Sequence, residues 1–90
     1  MVYIYYHVTS LNEFKEKVPA YFEEGKIFGL QQLMQRGDQP ELFMEVVSVG
    51  SNIGEPLKGL SDLRAKHGIN KFILNNKIHV EVFEQLLGPS

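Results

Sequence analysis

Four titratable side chains stand out in this 90-residue chain as able to work together: His7, Glu45, His79 and Glu81. An imidazole passes protons near neutral pH and a carboxylate can take or hold one, so the set could serve as acid and base on a bound molecule. Their spacing groups them. His7 follows Tyr3 and Tyr5 at every second residue, His79 and Glu81 precede Phe83 in the same rhythm, and Glu45 lies between Phe43 and Val47. Residues two apart in a strand share one face of a sheet. The candidate catalytic residues are therefore His7, His79 and Glu45, with Tyr3, Tyr5, Phe43, Glu81 and Phe83 lining a binding surface. The three histidines form neither H-x₃-H nor H-E-x-x-H, and the chain has no cysteine, so no local metal motif is present. A metal held across strands by His7, His79 and Glu45 or Glu81 would be geometrically allowed, but nothing calls for it, and no metal or cofactor is expected. Gly50 and Gly54 lack the Gly-Lys-Ser/Thr of a phosphate loop. Arg36-Gly37-Asp38 is turn chemistry.

The strands that carry these residues must be placed by helices. MVYIYYHV opens the chain as a strand, Val2, Ile4, Tyr6 and Val8 on one face and Tyr3, Tyr5 and His7 on the other. Ser10-Leu11-Asn12-Glu13 has the form of a capping box. Leu11, Phe14, Val18, Tyr21 and Phe22 follow at helical spacing, interrupted by Pro19, whose ring is expected to face solvent and bend the helix. Ile27 to Gln35 and Glu41 to Val49 read as a hairpin around a five-residue loop. Pro56 suits the first turn of a second helix with Leu57, Leu60 and Leu63 inward and Gly68 as its stop. Asn75-Asn76 turns the chain into a last strand, Lys77 to Gln85.

The order βαββαβ predicts one α+β domain over residues 1–90. It is a ferredoxin-like four-stranded antiparallel sheet, order 4-1-3-2, with both helices on one face. Leu42, Met44 and Val46 are expected against the helices, together with Ile78, Val80 and Val82. That leaves Tyr3, Tyr5, Phe43, Val47, Val49 and Phe83 on the opposite face, too apolar for open water. A homodimer packed sheet to sheet would cover it. His67, at the end of the second helix, is read as a partner of the helix dipole.

With its YIYYHV, LMQRGDQPELFMEVV, KHGI and KIHVEVFEQL stretches, the chain resembles the dimeric α/β-barrel superfamily, which includes the antibiotic-biosynthesis monooxygenases, and most resembles a branch of small uncharacterised bacterial proteins. The resemblance implies a dimeric α/β barrel and a monooxygenase-like or isomerase-like activity on a small apolar or aromatic molecule. The haem-degrading members use an Asn on the first strand and a Trp and a His on the second helix. His7 and His67 stand near two of those positions, but the absence of any Trp counts against that chemistry. A non-catalytic ligand-binding module and a purely structural homodimer use the same face and remain open alternatives.

With nine Lys and Arg scattered against a net charge of −2, no basic stripe is available for nucleic acid. No apolar run is long enough for a membrane span or shaped as a leader, so the expected setting is the cytoplasm.

Overall fold

The structure, a computed structural model, describes residues 1–88. The first strand, β1 (Val2–His7), leads into α1 (Leu11–Gly25) and a short 3-10 turn. A hairpin of β2 (Leu30–Arg36) and β3 (Gln39–Val47) follows, then α2 (Gly54–Lys66), two further 3-10 turns and β4 (His79–Val82). All pairings are antiparallel, in the order β2-β3-β1-β4. This is the α+β ferredoxin-like arrangement expected from the sequence, with the core between the sheet and the two helices.

Several boundaries differ from the sequence reading. β2 begins at Leu30 rather than Ile27, because Lys26–Phe28 winds into a 3-10 turn that ends on Gly29 at φ 93°. Only glycine suits this site: a Cβ there would lie 2.0 Å from the Ser48 carbonyl oxygen, where Ser48 N–H donates to the Gly29 carbonyl at 2.8 Å. The hairpin turn needs only Gly37 and Asp38, so Gln39 and Pro40 belong to β3. Ser10 precedes α1 in the left-handed region (φ 50°) with no side-chain capping bond, so the capping box does not form. Its carbonyl nevertheless accepts from Phe14 N–H at 3.0 Å, and the helix starts where expected. Pro19 lies inside α1 with its ring exposed. Asn75 and Asn76 adopt positive φ, as the turn into β4 requires, but β4 is confined to four residues. Phe83 extends its ladder by exchanging backbone bonds with Met1, each 2.9 Å.

The alternation of β1 holds: Val2, Ile4 and Tyr6 are fully buried beneath the helices. Val80 and Val82 pair with Ile4 and Val2 and so share the helix side, yet stay half-exposed at the edge of the sheet. The phase of β3 is the reverse of the expected one. Phe43, Glu45 and Val47 face the helices, and Leu42, Met44 and Val46 lie opposite His7, Tyr5 and Tyr3 on the open face. Placing the aliphatic triplet inward would have kept a carboxylate out of the core. The fold instead buries that carboxylate and supplies its partners.

Candidate functional site

The open face is built by pairing. Tyr5 stands opposite Met44 on one side and His79 on the other, and Tyr3 opposite Val46 and Glu81. Met34 of β2 extends the row beyond Met44. The Tyr5 hydroxyl donates to Glu81 Oε1 at 2.6 Å, and the His79 imidazole stacks on the Tyr5 ring at 5.1 Å with the planes 15° apart. Tyr3 meets Phe83 edge to face at 5.4 Å. The Glu81 hydrogen bond, then partial burial and the Glu81 charge, raise the Tyr5 phenol above its ordinary value near 10. Tyr5 is thus held as a proton donor. The second Glu81 oxygen and the exposed His79 ring are placed to accept.

Two depressions flank the ridge made by Tyr5 and Met44. One, of about 370 Å³, is lined by Tyr3, Glu81 and Phe83. The other, of about 350 Å³, is lined by Met34, Gln35, Arg36, Leu42 and Phe43. Both volumes lie near the lower end of small-molecule sites.

Of the residues expected at the site, Tyr3, Tyr5, His7, His79, Glu81 and Phe83 occupy the open face. His7 pairs with Leu42 and is exposed, two residues farther along β1 than the Tyr5 that pairs with His79, whose ring lies on Tyr5 rather than on His7. Glu45 does not belong to this face, and Phe43 borders the second depression but turns its ring inward. Phe43 packs into the core 4.6 Å from Phe14. Glu45 is wholly buried, and two phenols donate to it, Tyr6 to Oε2 and Tyr21 to Oε1, each at 2.5 Å. Arg64 Nη1 donates to Glu45 Oε1 at 2.9 Å and to the Tyr21 oxygen at 2.8 Å. One side chain from each of β1, β3, α1 and α2 thus meets at a single carboxylate. Burial, reinforced by the Glu45 charge, pushes both phenols far above their ordinary value. Burial opposes the Arg64 charge, but Glu45 together with the Tyr21 and Tyr6 phenols outweighs it, and the guanidinium is held above its usual value. Buried and fully engaged, Glu45 cannot reach a molecule on the open face.

The sequence reading missed Leu42 and Met44 as lining residues because the phase of β3 was reversed, and Met34 because β2 shows little apolar alternation. A signal existed. Tyr6 and Tyr21 sat on inward stripes with polar tips, and Arg64 lies four residues after Leu60, on the same helical face. Buried polar groups need partners, and a carboxylate on β3 was the missing one.

At the far side of the helices, Glu24 accepts from Lys66 at 2.9 Å and meets His67. Lys66 and then His67 hold the Glu24 carboxyl below its ordinary value. His67 therefore joins the ends of α1 and α2, away from the open face. Among the described residues, no helix is long and apolar enough to cross a membrane and no cluster of three potential metal ligands occurs.

Two solved structures are similar over almost the whole chain. An antibiotic biosynthesis monooxygenase-like protein from Nitrosomonas europaea aligns with a TM-score of 0.66 at 14% identity, covering 96% of this chain and 97% of its own. A dimeric ferredoxin-like protein from an uncultured marine organism aligns with a TM-score of 0.54 at 15% identity, covering 98% and 90%. No family model and no curated protein matches the sequence. At these identities the likeness is one of fold.

Proposed function

We propose that two copies of the chain pack open face to open face and bind a small, flat apolar or aromatic molecule between them. On that molecule Tyr5, Glu81 and His79 would perform acid–base chemistry of a monooxygenase-like or isomerase-like kind. The observation that carries this reading is a hydrogen-bonded Tyr5–Glu81 pair with His79 stacked on it, set among Tyr3, Met44 and Phe83 on a face that no other element covers among the described residues. Apolar surroundings hold a flat ring by dispersion and water exclusion, and the few polar groups orient it. Glu81 Oε2 or His79 would accept a proton from an acidic C–H or O–H of the molecule. Tyr5, kept protonated by Glu81, would swing its single O–H from Glu81 to the oxygen on which charge develops. His7, at the rim, is left as an auxiliary base. A dimeric protein and a monooxygenase-like protein of the same fold lend support to the assembly and to the reaction class respectively.

Native mass spectrometry of freshly purified protein tests this. The expected species has twice the chain mass of 10.3 kDa and either carries an additional small molecule or takes up 1-naphthol when that is added. A single chain, or a dimer that carries nothing and takes up no 1-naphthol, ends the reading.

A further inference from the structure

The charges on the open face are segregated. Glu81 borders the depression on the β4 side of the Tyr5–Met44 ridge, and Arg36 borders the one on the β2 side, whose floor is Met34, Leu42 and Met44. Arg36 is paired at the surface rather than buried, its side chain 56% exposed and that of Asp38 70%. Asp38 accepts from its Nε at 2.6 Å and from its Nη2 at 3.4 Å, and among the described residues Nη1 has no partner. An arginine paired along one edge presents its other donors in the same plane, the arrangement that suits a second carboxylate.

We infer that the molecule bound on this face is a small organic acid: an apolar, ring-bearing body with a carboxylate that pairs with Arg36. The inference rests on the ligand-binding reading above and specifies its substrate class. The body would lie in the Met34–Leu42–Met44 depression against the Tyr5 ring. The carboxylate would point away from Glu81, which repels it, and toward Arg36, which attracts it. Polarity along the face therefore fixes the orientation, leaving the end of the molecule remote from its carboxylate beside Tyr5 and Glu81. The two methionines add adaptable, polarizable contacts and leave the shape of the ring system loosely specified.

Two probes of matched shape test this on the intact protein by calorimetry at neutral pH: 2-naphthoate and its uncharged analogue 2-naphthalenemethanol. The wild type should bind the naphthoate roughly tenfold more tightly, as a partly exposed charge-assisted pair allows. Arg36→Gln should abolish that preference while leaving the alcohol unaffected, and Arg36→Lys should restore part of it. Arg36 is exposed and outside the core, so the variants should fold. Equal binding of both probes by the wild type, or a preference that survives Arg36→Gln, overturns the organic-acid inference alone. Failure of both probes to bind overturns it together with the ligand-binding reading.

Discussion

Glu45 is the residue on which the most depends. A carboxylate taken wholly out of water costs several kcal/mol, and its attraction to Arg64 offsets this only because two phenols donate to it as well. Arg64 Nε remains buried with no partner among the described residues, so even this network is incompletely satisfied. Removing the cation alone should therefore be severe: Arg64→Met is expected to cost about 3–5 kcal/mol in urea unfolding. Adding Glu45→Gln should return part of the loss, since no charge is then stranded and one of the two phenols keeps an acceptor. A double variant no more stable than Arg64→Met would show that the carboxylate carries no charge there. The phenols impose a pH limit of their own. Both are raised in the folded state, so their contribution is complete below the ordinary tyrosine value. It fades as the pH climbs past about 10, where the unfolded chain releases protons that the fold retains. The urea midpoint should fall between about pH 9 and 11, and less so in Tyr21→Phe.

At the scale of elements, two glycines set how closely the helical layer can approach. A Cβ on Gly25 would meet the Leu30 side chain at 2.6 Å, and one on Gly59 would meet the Phe28 ring at 2.4 Å. An alanine within a helix ordinarily gains about 1 kcal/mol over glycine, so the sign of the effect reports the packing. Gly59→Ala should destabilise the protein by about 1–3 kcal/mol, because the ring must be driven out of its place between α2 and the turn before β2. Thermal unfolding checks this, and a raised Tm would mean that Phe28 swings clear. The helix stripes and the β1 alternation were legible in the sequence because each element repeats its apolar residues at its own period. The phase of β3 was not. Phe43, Glu45 and Val47 alternate with Leu42, Met44 and Val46, and periodicity alone ranks the aliphatic triplet as the inner one.

For the whole molecule, the corrected phase changes which substitutions report on assembly. Met44 sits beside Tyr5 on the open face, whereas Val47 is fully buried under the helices. Met44→Asp should leave the fold intact and split a sheet-to-sheet dimer, because a lone charge at the centre of that interface costs several kcal/mol. Val47→Asp should unfold the chain instead. Sedimentation with circular dichroism separates the two outcomes. A Met44→Asp protein that stays dimeric and folded would move the interface elsewhere.

The sequence by itself determined the order of elements, the strand order and the presence of an apolar second face carrying Tyr3, Tyr5, His79 and Glu81. These follow from local periodicity, turn residues and the handedness of strand crossovers, all written into neighbouring positions. Which members of β3 join that face was decided only in three dimensions. Glu45 can lie inside because Tyr6, Tyr21 and Arg64, separated from it by 39, 24 and 19 positions along the chain, arrive at the same point. The same is true of Arg36 beside the Met34–Met44 row, where a register shift in the hairpin carries the last residue of β2 to the rim of a depression. Strand alternation is a property of adjacent residues, but the stability of a buried charge belongs to whatever surrounds it in space.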